Sequence, residues 1–101
     1  DMFQFAGVNV FPSAIENVIR KVDCFSNEYQ IIVPAMGSGK RLKIRVEPAT
    51  DRVTSKEMKK ALDQFMEAFK YSITFTPEVE VAEIGTLPRF ELKAKRVIRD
   101  V

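Results

Sequence analysis

Near its end the chain reads Leu87-Pro88-Arg89-Phe90-Glu91-Leu92-Lys93-Ala94-Lys95-Arg96-Val97. A proline-led turn is followed in quick succession by Lys93, Lys95 and Arg96. Cations crowded on so short a stretch either decorate a solvated edge or meet an anion. Their chemistry is electrostatic: fixed cations attract and stabilise negative charge. Other chemistry is poorly supplied. The chain has no histidine, so it lacks the commonest general base and the commonest metal ligand. Its single cysteine, Cys24, has no imidazole to activate it and is expected to be a small buried apolar residue.

Two other basic features compete for attention. Gly37-Ser38-Gly39-Lys40 suggests a phosphate loop. The nucleotide-binding form, however, needs four residues between its glycines, a Ser or Thr after the lysine, and a helix to follow. Arg41 stands where that hydroxyl belongs, and the loop joins two predicted strands, so a flexible hairpin connection is expected. Lys40, Arg41, Lys43 and Arg45 form a basic stripe on one strand. Single-stranded nucleic acid would need aromatic rings on the same face for stacking, and this strand has none.

The pattern around these groups predicts the elements that carry them. Residues 1–11 read as one or two short strands with a turn near Ala6-Gly7. Pro12-Ser13 opens a helix, with Ser13 and Glu16 at capping-box spacing or Pro12 at the first helical position. Ile15, Val18, Ile19 and Val22 give it one apolar face. Asp23 to Asn27 is a connector, and Tyr29 to Val33 a strand that stops at Pro34. Arg41 to Glu47 alternates, with Leu42, Ile44 and Val46 inward and Lys43, Arg45 and Glu47 on the half-exposed face. Thr54 and Glu57 form a second capping box. Met58, Ala61, Leu62, Phe65 and Phe69 line a helix that runs to about Lys70. Glu78 to Ile84 and Ala94 to Val101 are the last strands.

This order is βαββαβ with short additions. It predicts an α+β, ferredoxin-like domain: an antiparallel sheet of three or four strands with two helices on one face. The 101 residues suit one domain. A net charge of +2 is too small to argue for nucleic acid or an anionic membrane. No apolar run reaches membrane-spanning length, and a lone cysteine fits a reducing, cytoplasmic setting. The chain opens on Asp1 with Phe3, Phe5, Val8 and Val10 alternating almost at once, which is expected of a piece of a longer protein.

Gly7-Val8-Asn9-Val10-Phe11-Pro12-Ser13, with Asp1-Met2 before it and Glu16 after it, together with the Leu87–Val97 tail, resembles the adenylate-forming enzymes. These are the acyl- and aryl-CoA synthetases, adenylation domains and luciferases, and the wording is most similar to that of phenylacetate–CoA ligases. The likeness covers the whole chain and is to the family's mobile C-terminal domain. It implies a two-step ligase: ATP and a carboxylate give an acyl adenylate and pyrophosphate, then CoA displaces AMP to give a thioester. By position, Lys93 resembles the family's adenylation lysine. Gly7, Val8 and Asn9 would lie near the CoA channel, Arg96 is a weaker ligand candidate, and Asp1 would fall at the hinge. The partners implied are an N-terminal domain of the same chain, ATP or AMP, CoA and an aryl or other carboxylic acid. Mg²⁺ is expected in the full-length enzyme, with none held by this domain. Leu92 stands where the family has glycine, and Phe90 where it has a small hydroxyl residue. The alternative from the residues alone is a free-standing ferredoxin-like domain that binds a small molecule or another chain.

Overall fold

A computed structural model describes residues 2–88 and 96–99. The first two strands, β1 (Phe3–Phe5) and β2 (Val8–Val10), form an antiparallel hairpin with Phe3 opposite Val10 and Phe5 opposite Val8. Only Ala6 and Gly7 turn the chain, at φ +53° and +75°. Two successive positive φ values belong to the tight turn whose twist suits a hairpin. Gly7 adopts this freely, whereas the Cβ of Ala6 costs about 1 kcal/mol there.

Helix α1 (Pro12–Arg20) has Pro12 in its first turn and Phe11 as a cap that makes no side-chain hydrogen bond. The Ser13–Glu16 capping box is therefore not formed. Proline, with φ preset for a helix and no N–H to satisfy, starts the helix two residues earlier than a Ser13 cap would and places Ser13 inside it. Strand β3 (Phe25–Val33) begins within the stretch expected to be a connector. Phe25 is drawn in by tertiary packing, its ring 5.6 Å from that of Phe65. Strand β4 (Lys43–Pro48) follows. Helix α2 (Ser55–Ile73) carries the expected Thr54–Glu57 box. The Thr54 N–H donates to Glu57 Oε1 at 3.0 Å, and the Glu57 N–H donates to Thr54 Oγ1 at 3.1 Å. The Thr54 N–H, donating to the carboxylate, holds the Glu57 carboxyl below its ordinary pKa. The helix passes Lys70 because Ile73 extends the buried stripe of Ala61, Phe65 and Phe69 by another turn.

With β5 (Glu78–Val81) and β6 (Val97–Arg99), the main sheet has the order β5-β4-β3-β6. The α+β class, the two helices and the four strands are as expected. Two features correct the finer expectation. The β1–β2 hairpin is a separate sheet, and the main sheet is mixed: β3 and β4 are antiparallel, but β5 runs parallel to β4 and β6 parallel to β3. A hairpin reverses direction, whereas a crossover helix returns the chain to the end it left. Helix α2 spans 19 residues, roughly 28 Å at the helical rise, so it carries the chain from the end of β4 back to a parallel start.

The core lies on one face of the sheet. Tyr29, Ile31 and Val33 of β3 and Ile44 and Val46 of β4 are buried against α1 and α2. An aromatic series ties the N-terminal hairpin to this body. Ring centroids step from Phe5 to Phe75 at 5.0 Å, to Phe69 at 5.5 Å, to Phe65 at 5.7 Å and to Phe25 at 5.6 Å. Each pair adds about 0.5–1.5 kcal/mol beyond burial, so the Gly7 turn stands on a rigid support. Thr54→Ala removes the cap of α2 and is expected to destabilise the domain by about 1 kcal/mol in denaturant unfolding.

Candidate functional site

Just before the residues that carry the candidate cations, the chain is held by one buried carboxyl group. Glu47, at the end of β4, is 0% exposed. Its Oε1 accepts the Gly85 N–H at 2.9 Å and its Oε2 accepts the Leu87 N–H at 2.8 Å. Leu87 is itself buried, so a backbone donor there without a partner would cost about 1–3 kcal/mol. Glu47 was expected on the solvated side of its strand, and the structure corrects this. The Gly85–Leu87 loop folds over that side, and a glutamate is kept because it supplies two acceptors. Gly85 suits the loop because its φ is +90°, a conformation that a side chain rarely adopts.

The chain is held again at Arg96. Its carbonyl accepts the Ile31 N–H at 2.7 Å. Its guanidinium donates to Glu28 Oε2 at 3.1 Å and to the Tyr29 carbonyl at 3.3 Å, and lies 4.6 Å from the centre of the Tyr29 ring. The Arg96 side chain is only 17% exposed and that of Glu28 21%, so the pair is far less screened than a surface ion pair. Glu16, whose charge acts on the Tyr29 hydroxyl, pairs with Arg20 at 2.5 Å. Burial, and then the negative charge of Glu16, push the Tyr29 hydroxyl up to about 12, with Arg96 opposing in part. A polar relay thus runs from α1 through β3 to the start of β6. Lys93 and Asp1 lie outside the described residues, as does Leu92.

The other expected site residues separate. Gly7 lines a cleft of about 440 Å³ together with Ala6, Ser38, Lys40 and Arg99. Val8 instead packs partly against the core, and Asn9 Oδ1 accepts from the Gln4 side chain at 3.2 Å. A Cβ built on Gly7 meets nothing within 4 Å, so within this domain the glycine serves its positive φ. The basic stripe also divides. Lys43 pairs with Glu78 and Glu80 at 3.3 and 3.8 Å, and Arg45 with Glu80 at 3.1 Å. Lys40, Arg41 and Arg99 make no ion pair with any described residue. Lys40 and Arg99 therefore stand beside the Gly7 turn, brought there by the β3–β4 connection and by β6, while Arg41 lines a second cleft with Lys43 and Glu78.

Among the described residues, no group of three or more His, Cys, Asp or Glu could hold a metal ion, and no helix is long and apolar enough to cross a membrane. Cys24 is half-buried against the core. The sequence reading missed Glu47 as a site residue. Its one signal was a carboxylate closing an apolar alternation just before Pro48.

Fold and anchors together describe a small α+β domain whose chain is fixed at Gly85–Leu87 and again at Arg96. The chain belongs to the family of AMP-binding enzyme C-terminal domains, whose model matches residues 7–100. Over 99 residues it is 32% identical to the phenylacetate-coenzyme A ligase of Escherichia coli (strain K12), covering 96% of this chain and 23% of that protein. The chain thus spans about a quarter of that relative's length. A solved domain of phenylacetate-coenzyme A ligase from Bacteroides vulgatus ATCC 8482 superposes with a TM-score of 0.83 at 26% identity, covering 98% of this chain and 92% of that one. An open conformation of 2-hydroxyisobutyryl-CoA ligase, in complex with 2-HIB-AMP and CoA, shares the fold with a TM-score of 0.84 at 24% identity over 99% of this chain and 22% of its own. The sequence resemblance and the α+β expectation are both supported, and the free-standing regulatory domain is the weaker reading.

The raised Tyr29 value makes a stability statement. A phenol held neutral in the folded state stabilises it fully below the unfolded value near 10. That contribution is lost as pH rises from 10.0 to about 12. Melting temperature followed across this window should fall more steeply for the unaltered protein than for Tyr29→Phe, and equal slopes would count against the relay.

Proposed function

We propose that the chain is the C-terminal domain of an ATP-dependent, AMP-forming acid–CoA ligase of the phenylacetate–CoA ligase type. The observation that carries this is the family match over residues 7–100, joined to a phenylacetate-coenzyme A ligase relative that aligns with 96% of the chain. In the first half-reaction a carboxylate oxygen attacks the α-phosphorus of ATP and pyrophosphate leaves. In the second, the CoA thiol attacks the acyl carbonyl of the adenylate and AMP leaves. The ATP and acid pockets belong to the N-terminal part of the full-length protein, which this domain meets through a hinge at Asp1. Mg²⁺ accompanies ATP there and would neutralise phosphate charge, and no residue of this domain is assigned to hold it.

Lys93 is the residue assigned to the first half-reaction. Negative charge grows around phosphorus as the carboxylate adds, and a cation preset there is worth about 10²–10³ in rate. A lysine suits delivery by a moving domain, as a compact charge on a flexible stem. The Gly7 turn serves the second half-reaction, its backbone bordering the path of the CoA arm. Lys40 and Arg99, which make no ion pair among the described residues, flank the same cleft and suit the phosphate groups of CoA.

Two expectations follow for the full-length enzyme. Lys93→Ala should abolish adenylate formation, read as acid-dependent pyrophosphate release. It should largely spare thioester formation from a supplied acyl adenylate. An equal fall in both would remove Lys93 from its role. The double variant Lys40→Ala/Arg99→Ala should raise the KM for CoA about tenfold or more, as expected when charge-assisted contacts are lost. Adenylation should be unchanged, and an unchanged CoA KM would exclude these cations from CoA binding.

A further inference from the structure

The position of Glu47 is more than a packing solution. Strands β5 and β6 lie at opposite edges of the sheet, in the order β5-β4-β3-β6. Between Val81 and Val97 the chain must therefore pass from one edge to the other. It is bound early in that passage, where Glu47 takes the Gly85 and Leu87 N–H groups, and bound again at Arg96 by Glu28, Tyr29 and the Ile31 N–H. Segment 89–95, which contains Lys93, is the stretch between the two fixations.

We propose that Glu47 is a positioning residue for adenylation. Its buried carboxyl group, acting with the Arg96 anchor, fixes the ends of the segment that carries Lys93, and so sets where the lysine charge arrives. The proposal rests on the assignment of Lys93 to the first half-reaction. A free segment of this length would deliver its lysine over a broad volume, and a displacement of about 1 Å from the productive geometry can cost about 10²-fold in rate. Ordinary backbone pairing does not hold the upstream end. The Gly85 and Leu87 N–H groups find their acceptors in a side chain from a different strand, 38 and 40 residues away in sequence. The downstream end likewise uses a side chain, Arg96, whose three partners all come from β3. Neither residue touches the reacting atoms, and both act through Lys93.

Glu47→Gln tests this in the full-length enzyme. The amide keeps the size of the side chain, but turns an NH₂ group toward one of the two N–H donors, so one hydrogen bond is lost. Pyrophosphate release should fall about 10²-fold in kcat with little change in the KM for ATP. Thioester formation from supplied adenylate should fall far less. Hydrogen exchange should rise in peptides covering residues 85–96 and stay unchanged in α1 and α2. Arg96→Lys, which keeps the charge but loses the forked donor geometry, should show the same selective loss, and it judges the proposal if Glu47→Gln does not fold. Parallel loss of both half-reactions, or unchanged exchange at residues 85–96, would overturn the proposal by leaving Glu47 a purely structural residue. Lys93→Ala run alongside separates the two ideas. If it selectively stops adenylation while Glu47→Gln and Arg96→Lys do not, the clamp is wrong and the lysine assignment stands. If Lys93→Ala spares adenylation, the lysine assignment fails and the clamp's catalytic role with it.

Discussion

The antiparallel ladder of β3 and β4 is the constraint on which the remaining structure depends. Its register sets Ile31 opposite Ile44 and Tyr29 opposite Val46, which places the apolar side chains together under the helices. Every other part is referred to it: β5 pairs with β4, β6 with β3, and both helices pack on its apolar face. Side chains alternate along a strand, so a slip of one residue would turn the apolar set toward the open face. It would also turn Glu47 inward and remove the acceptors that hold Gly85 and Leu87. One ladder thus specifies the core and the anchorage of the tail together.

The open face of the sheet has a different economy. Gln30, Arg45 and Glu80 lie in register across three strands, and Arg45 Nε donates to Glu80 at 3.1 Å. Ion pairs there neutralise Lys43 and Arg45 and leave Lys40, Arg41 and Arg99 unpaired among the described residues. A basic stripe that looks continuous in sequence therefore divides: Lys43 and Arg45 are neutralised on the sheet, and Lys40 stands with Arg99 beside the Gly7 turn. Lys40, Arg99 and the hairpin form one region, and the anchoring groups Glu47 and Arg96 lie apart from that cleft.

Much of this was legible in the residues. Hydrophobic periodicity located both helices, the Thr54–Glu57 pair located the start of α2, and glycine and proline located the turns. These signals are local, because a helix face or a cap is decided by residues three or four apart. The motif around Gly7–Ser13 and the Leu87–Val97 tail added the family, which no amount of periodicity would supply. Of the two starts open for α1, Pro12 at the first helical position is the one taken, and Glu16 pairs with Arg20. What failed was nonlocal. The strand directions were missed because a sheet's pairing order follows from how α2 crosses it, not from the strands' own patterns.

The sequence by itself determined that this is a small α+β domain with two amphipathic helices, which residues could bear charge to an anion, and which family they resemble. Only the tertiary structure decided which groups hold the chain on either side of the tail lysines. Glu47 reads as one more polar residue on an alternating strand, and Arg96 as one more cation in a basic tail. Their roles arise from contacts across 38 to 40 residues for Glu47 and 67 to 68 for Arg96. Such contacts depend on which strand lies beside which, so they leave no local pattern. Whether a polar side chain is solvated or buried with its hydrogen bonds complete is fixed by what folds over it.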